Sequence, residues 1–296
     1  MAIDILAAFE NKPKPLDFVF PGFLAGTVGT IVAPGATGKS YLTLEAAMGV
    51  ACTVAGGDLL DVRPENTGRS VYIAAEDPES VVKQRLHAIG AHLNQEARES
   101  IAENVDIEPV LGSRLDLMRD DHRERVIRHC EGARIVILDT LSRVHSLDEN
   151  SNGEMSKLFG VLEQIGAETG AAVLFLHHTS KAASFGEQTD HQHASRGASL
   201  LTDNARFAAS LVKMTEREAD KDHYDVEESM RSMFVRFSVT KNNYGSPIED
   251  RWYRRHEGGV LRPAQLEKKH RPAGNNGNKG DGNDKHNGGA GHGFGE

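Results

Sequence analysis

The sequence between residues 33 and 40 reads Ala33-Pro34-Gly35-Ala36-Thr37-Gly38-Lys39-Ser40. It differs from the phosphate-binding pattern G-x-x-x-x-G-K-[ST] only at its first position, where alanine replaces glycine. In such a loop the glycines let backbone N–H groups face a phosphate, the lysine bridges the β- and γ-phosphates, and the hydroxyl binds Mg²⁺. Alanine is small enough to permit the same turn. We therefore expect residues 34–40 to bind ATP and Mg²⁺.

The sequence on both sides of this loop predicts its setting. The apolar run Thr27–Ala33 precedes it, and apolar residues follow it at helical spacing. Three more apolar runs, each joined to the next by a stretch of helical period, occur at Val71–Ala75, Ala133–Leu138 and Ala172–Leu176. Strands that are apolar throughout and alternate with helices indicate a parallel sheet covered on both faces. The predicted fold is a doubly wound α/β fold.

The later part of the chain has a different pattern. Met233–Thr240 alternates apolar and polar residues, as a half-buried strand does. Arg251–Arg255 and Val260–Arg262 flank Glu257-Gly258-Gly259, which is typical of a hairpin turn. We expect these segments to extend the same sheet with antiparallel strands.

Composition excludes several classes of protein. The chain has 296 residues, and no apolar run approaches the roughly 18 residues that a membrane span needs. Two cysteines and a charged beginning, with Asp4, Glu10 and Lys12, argue against a disulfide scaffold and a signal peptide, so a cytoplasmic location is predicted. The Gly- and Asn-rich tail, residues 271–296, has almost nothing to bury and is predicted to be disordered.

Net charge constrains the partners only weakly. The chain carries 34 Lys and Arg against 43 Asp and Glu, a net charge of −9, which argues against a surface that is basic all over. The segment Asp250–Arg271, however, has a local charge of +4. Net acidity is therefore compatible with nucleic-acid binding confined to one region.

A carboxylate ends the third apolar run. Asp139 follows Ile135–Leu138, the position at which an acidic residue orders Mg²⁺ and its waters beside a phosphate loop. Apolar runs that end in aspartate are common, and most of those carboxylates cap helices. The phosphate loop upstream favours the role in Mg²⁺ binding.

A second pair of carboxylates, Glu76 and Asp77, ends the second run. Asp77 is interpreted as the N-cap of a helix whose first residue is Pro78. Glu76 is then left at the carboxyl edge of the sheet, where α/β proteins bind their ligands, and it could deprotonate the water that attacks the γ-phosphate. The alternative is an ordinary solvated glutamate.

Histidines follow the fourth run. Adjacent residues on a strand point in opposite directions, so at most one of His177 and His178 can face the nucleotide. A neutral histidine near the γ-phosphate could report its presence to the next loop, and buried structural hydrogen bonding is the alternative. His191 and His193 are interpreted as part of a polar loop rather than as metal ligands.

Arg206 lies in the otherwise apolar segment Thr202–Ala208. Two interpretations remain open at this point. The arginine is either a partly buried member of an ion pair or a charge presented to a neighbouring subunit's phosphate, an arginine finger.

Several segments together closely resemble the plasmid RepA-type hexameric replicative DNA helicases. The similarity runs from about Ile5 to about Leu266 and includes segments with no general ATPase role. The segments are A-P-G-A-T-G-K-S, Y-I-A-A-E-D-P, R-L-H-A-I-G-A-H-L, I-L-D-T-L-S-R, F-L-H-H-T-S-K, A-S-R-G-A-S-L-L-T-D-N-A-R and K-N-N-Y-G-S-P-I-E-D-R-W-Y-R-R-H-E-G-G-V-L-R-P.

The resemblance implies a RecA-like P-loop ATPase core in residues 21–270, a homohexameric ring, and ATP-driven unwinding with 5′ to 3′ movement on single-stranded DNA. It implies a service to plasmid replication, with initiator and primase proteins as partners and no membrane. It also implies that the arm formed by residues 1–20 packs on the adjacent subunit. The channel of the ring would be lined by residues from about Ser142–Gly153 and Ser180–His193.

The same resemblance implies a role for each site residue. Lys39 contacts phosphate, and Ser40 and Asp139 lie on the Mg²⁺ side. Glu76 is the catalytic base and His178 the γ-phosphate sensor. Arg206 is the arginine finger between subunits.

Two other functions are compatible with a phosphate loop. A RecA-type recombinase or an ATP-regulated switch protein would bind DNA without unwinding it. A small-molecule kinase would need several arginines near the nucleotide, and the densest arginine cluster in the sequence lies in the predicted late hairpin.

Overall fold

The protein is described by a computed structural model that covers residues 2–178, 196–221 and 223–269. In this part of the chain a central sheet has nine strands, with a separate two-stranded ribbon at the beginning. The strands are β1 (Phe18–Phe20), β2 (Phe23–Leu24), β3 (Val28–Ala33), β4 (Ser70–Ala74), β5 (Val105–Pro109), β6 (Ile135–Asp139), β7 (Ala172–His178), β8 (Phe207–Lys213), β9 (Phe234–Asn242), β10 (Arg251–Arg255) and β11 (Leu261–Ala264).

The order of the central sheet is β11-β10-β9-β8-β3-β7-β6-β4-β5. The six strands from β8 to β5 run parallel, and β9, β10 and β11 join them antiparallel. The prediction of a mostly parallel sheet with an antiparallel extension is confirmed. The sheet also contains β5 and β8, which the sequence pattern does not predict.

Helices cover both faces of the sheet. Their bounds are α1 (Ile5–Glu10), α2 (Lys39–Ala51), α3 (Glu79–Gly90), α4 (Gln95–Asn104), α5 (Asp120–Cys130), α6 (Asn152–Thr169), α7 (Arg196–Asn204), α8 (Glu216–Ala219) and α9 (Glu228–Arg231). Alternate residues of β6 enter different cores: Ile137 packs in the core beneath α2, α3 and α4, and Leu138 in the core beneath α5 and α6. The fold is therefore doubly wound. None of the helices described is long and apolar enough to cross a membrane.

The first twenty residues divide into two parts. Helix α1 buries none of its residues, and Ile5, Leu6 and Phe9 are all more than 60% exposed. Strand β1 instead joins the body, because Phe20 packs against the rings of Phe23 and Phe207. An apolar helix is thus held at the surface by a short segment anchored in the core.

The turn between β10 and β11 is attached to α2 at three points. Arg255 donates a hydrogen bond to the carbonyl of Thr37, and the Tyr41 hydroxyl donates to the carbonyl of Gly258. The backbone N–H of Leu261 donates to Oε1 of Glu45 over 2.9 Å. The last strands of the sheet are thereby joined to the helix that follows the phosphate loop.

Glu45 at this junction is fully buried, and its second oxygen, Oε2, has no partner among the described residues. Burial raises the pKa of its carboxyl group to about 8, and the Leu261 hydrogen bond opposes the shift. Because the folded state holds this proton up to a higher pH than the unfolded state, the free energy of unfolding falls as pH rises from about 5 to about 8.

We expect Glu45→Gln to remove this pH dependence, since glutamine keeps an acceptor for Leu261 but does not titrate. Between about pH 5.5 and about pH 8, the wild type should lose roughly 3 kcal/mol of unfolding free energy relative to the variant. Urea denaturation at several pH values measures the difference. Parallel pH profiles for the two proteins would contradict this assignment.

Candidate nucleotide-binding site

Four adjacent strands bring the predicted site residues to one edge of the sheet. The phosphate loop follows β3, His178 ends β7, Asp139 ends β6, and Glu76 lies two residues beyond β4. Carboxyl ends of parallel strands meet at the same edge, and this edge is where α/β sheets bind ligands. Four segments that are far apart in the sequence therefore converge because the strands are parallel and neighbouring.

The loop has the backbone that a phosphate cradle needs. Gly38 has φ of +100°, a conformation that side chains rarely adopt, and helix α2 begins at the next residue. The N-terminus of this 13-residue helix therefore points at the loop, where its N–H groups favour an anion. The Thr37 hydroxyl closes the turn by donating to the carbonyl of Pro34 over 2.7 Å.

Lys39 lies at the centre of the loop. Its Nζ donates to the carbonyls of Ala33 and Pro34 over 3.2 and 3.3 Å and lies 3.0 Å from Nδ1 of His178. The residue is only 5% exposed, and burial lowers the pKa of its ammonium group, while the carboxylates of Glu76 and Asp139 oppose that shift. A desolvated cation ringed by weak acceptors is suited to a phosphate that brings a full negative charge.

Asp139 has a carboxylate that fits Mg²⁺. It is 3% exposed, and its Oδ2 accepts a hydrogen bond of 2.5 Å from the Tyr72 hydroxyl. Its Oδ1 is buried and has no partner among the described residues. Burial raises the pKa of Asp139, and hydrogen bonds from Tyr72 and Ser40 oppose the rise. A buried carboxylate oxygen without a partner, beside the Ser40 hydroxyl, matches the oxygen ligands that Mg²⁺ and its waters prefer.

Glu76 and His178 face each other across the site. Oε2 of Glu76 lies 3.3 Å from Nε2 of His178, and both side chains are more than a third exposed. The backbone N–H of Glu76 donates to the carbonyl of Asp139 over 3.1 Å. Glu76 is thus held by the strand that carries the Mg²⁺ carboxylate. His177 is buried and does not share this contact, and burial lowers its pKa.

The interpretation of Asp77 as a helix cap is wrong. Helix α3 begins at Glu79, and Pro78 occupies the N-cap position without a side-chain hydrogen bond. The Asp77 carboxylate instead pairs with Arg85 over 2.7 Å. Proline fixes its own φ and disfavours helix in the residue before it, so the helix cannot include Asp77.

Sequence reasoning missed three residues at the site. Tyr41, Arg85 and Arg255 line a pocket of about 320 Å³ together with the phosphate loop, Glu76, Asp77 and His178. The Arg85 guanidinium lies 5.7 Å from the centre of the Tyr41 ring. The late hairpin therefore does deliver an arginine to the nucleotide pocket. Its distance along the sequence does not count against a kinase.

Arg206 lies at the opposite edge of the sheet. It is exposed, and its backbone N–H donates to the carbonyl of Val28 over 2.8 Å. Val28 begins β3, whereas the phosphate loop follows the end of β3, about 17 Å away at about 3.3 Å per residue. An arginine side chain does not span that distance, so Arg206 does not contact the phosphate loop of its own subunit.

Other predicted features are only partly covered. In the first predicted channel loop, Ser142–Gly153, the exposed Arg143 ends a short 3₁₀ turn. The second loop, Ser180–His193, and the tail, residues 271–296, lie outside the described residues. Among the residues that the structure describes, no cluster of three or more His, Cys, Asp or Glu could hold a metal ion.

Two solved structures share this fold. The chain is similar to the ATPase domain of a helicase, with a TM-score of 0.56 and 15% sequence identity over 88% of this chain and 96% of that one. It is also similar to the RadB recombinase, with a TM-score of 0.50 and 14% identity over 82% of this chain and 93% of that one. The architecture is thus that of a RecA-like P-loop ATPase. A model of the AAA domain family matches residues 3–184, more than half of the sequence, and the chain belongs to that family.

Proposed function

We propose that this chain is a ring-forming, ATP-dependent replicative DNA helicase that moves 5′ to 3′ on single-stranded DNA during plasmid replication. The motifs shared with plasmid RepA-type helicases support this function, as does the arrangement of the nucleotide site. Initiator and primase proteins of the plasmid are the proposed partners, and the cytoplasm is the proposed location.

One observation carries the proposal. Lys39, Glu76 and His178 converge at one edge of the sheet, while the exposed Arg206 lies at the other edge. In a head-to-tail ring, the amino edge of one subunit faces the carboxyl edge of the next. Arg206 would then reach a neighbour's γ-phosphate and complete its site. Hydrolysis would depend on assembly.

Each residue has a proposed task within one subunit. Residues 34–38 and Lys39 bind the phosphates of ATP, and Ser40 and Asp139 hold Mg²⁺, which shields the phosphate charge when bound. Glu76 takes the proton of the attacking water. His178 contacts both Lys39 and Glu76, so it is placed to respond to the loss of the γ-phosphate.

The arm is proposed to stabilise the ring. The apolar side chains of α1, which are Ile5, Leu6 and Phe9 together with the adjoining Ile3, are exposed in the isolated subunit. Apolar patches of this kind mark surfaces for protein association. Packing on the neighbouring subunit would bury them.

Unwinding of a forked duplex tests the function. We expect strand displacement that requires ATP, a 5′ single-stranded tail and an intact Lys39, and closed rings in electron micrographs with a nonhydrolysable ATP analogue. Lys39→Ala is the control that should neither hydrolyse ATP nor unwind. Filaments on DNA without strand displacement would instead indicate a recombinase or a switch protein.

A small-molecule kinase is the second candidate, and the structure offers one observation in its favour. Arg85 and Arg255 line the pocket beside the phosphate loop, as a site for a second phosphorylated substrate requires. A monomer with full activity, no stimulation by single-stranded DNA, and phosphate transfer to a small acceptor would support the kinase and contradict the helicase.

A further inference from the structure

Tyr72 is a buried phenol whose hydroxyl lies beneath the phosphate loop. It is in the middle of β4, is 1% exposed, and packs in the core on the α2 side of the sheet. A buried hydroxyl costs free energy unless it is hydrogen-bonded, and phenylalanine would fill the same space without that cost. The hydroxyl therefore needs an explanation other than packing.

The donors around this hydroxyl can be accounted for one by one. Thr43 donates its single hydroxyl proton to the carbonyl of Lys39 over 3.0 Å, and its oxygen lies 3.3 Å from the Tyr72 oxygen. Tyr72 donates its own proton to Oδ2 of Asp139 over 2.5 Å. Burial raises the pKa of the phenol well above its ordinary value, so Tyr72 stays protonated and remains a donor.

This hydrogen bond divides the tasks of the two Asp139 oxygens. Oδ2 is held by Tyr72, and Oδ1, which has no partner among the described residues, is left for the metal and its waters. A carboxylate held at one oxygen cannot rotate freely about its last bond. Partners of this kind orient metal ligands, and their loss typically weakens metal binding about 10- to 100-fold.

We propose that Tyr72 is a positioning residue for Mg²⁺: its hydroxyl holds the Asp139 carboxylate in the orientation that binds the metal beside the phosphate loop. The inference rests on the proposed nucleotide site. It adds a residue outside the recognised motifs whose effect passes through Asp139 alone. Phosphate binding by the loop itself does not depend on it.

Tyr72→Phe tests the inference, because it removes only the hydroxyl. Mn²⁺ serves as the probe, and its binding to the complex of protein and ADP is measured by electron paramagnetic resonance. We expect the Kd for Mn²⁺ to rise about tenfold or more. The Kd for ADP in excess EDTA should stay within about twofold of the wild type, because the loop is untouched.

Tyr253→Phe is the matched control. Tyr253 is a buried tyrosine of the same sheet whose hydroxyl donates to the carbonyl of Leu60 over 3.2 Å. Its removal should leave the Kd for Mn²⁺ unchanged. In an Asp139→Asn background, Tyr72→Phe should cause no further loss of Mn²⁺ affinity, since the two residues act through one contact.

Unchanged Mn²⁺ affinity in Tyr72→Phe would overturn the inference, as would equal losses of Mn²⁺ and metal-free ADP binding. Absence of ADP binding by the wild type would overturn the proposed function as well, which separates the two failures. If Tyr72→Phe does not fold, wild-type protein with ¹³C-labelled tyrosine provides the readout. The Tyr72 ring resonance should shift when Mg²⁺ is added to the ADP complex, and an unmoved resonance would contradict the inference.

Discussion

Glu76→Gln is expected to lower ATP hydrolysis by about 10²- to 10⁴-fold while ATP still binds, because the substitution removes a general base and no phosphate ligand. Glutamine keeps the size of the side chain and can still contact His178, 3.3 Å away in the wild type. Steady-state phosphate release measures turnover, and fluorescence titration with a labelled ATP analogue measures binding.

Glu79→Gln is the matched control for this substitution. Glu79 is exposed in the first turn of α3 and paired with Lys83. Its replacement should change turnover by less than about twofold, since an exposed i,i+4 pair contributes little. Normal hydrolysis by Glu76→Gln would remove Glu76 from the catalytic role, and a parallel loss of ATP binding would assign it to phosphate binding instead.

Arg206→Ala is expected to lower hydrolysis about 10³- to 10⁵-fold if the arginine completes a neighbour's site. ATP binding by each subunit should persist, because Arg206 lies at the opposite edge of the sheet from its own loop. Arg125→Ala, which removes an exposed arginine of α5, is the control and should leave turnover unchanged.

Mixing two inactive variants gives the decisive form of this test. A subunit with Lys39→Ala retains Arg206, and a subunit with Arg206→Ala retains Lys39. In a mixed ring, some interfaces join an intact Lys39 to an intact Arg206, so hydrolysis should reappear above that of either variant alone. A mixture as inactive as its components, in rings shown to exchange subunits, would contradict an arginine acting between subunits.

The central strands are predictable because they are buried on both faces. β3, β4, β6 and β7 are continuous apolar runs, and the predicted bounds agree with the observed ones within about two residues. β5 escapes prediction because it is an edge strand, V-D-I-E-P, with no fully buried residue. β8 escapes it because its apolar run follows directly on Arg206, and a charged residue at its start obscures the pattern.

The site is predictable where one strand end supplies one residue. Parallel strands force Asp139, Glu76 and His178 to the edge that holds the phosphate loop, so an apolar run followed by a polar residue is sufficient signal. Arg255 cannot be found in this way, because its position depends on the antiparallel pairing of β9 with β10 and on the attachment of the hairpin to α2. Tyr72 is hidden inside an apolar run, where a tyrosine looks like core packing.

The position of β8 in the sheet has a consequence for dividing the chain into fragments. The family match ends at residue 184, yet β3, which carries the phosphate loop, pairs with β8 along the side away from β7. A fragment that stops at residue 184 would leave β3 with a row of unpaired backbone groups and a bare apolar margin, a template for aggregation. The smallest piece able to present the phosphate loop in its native setting therefore extends through β11, well past the end of the family match.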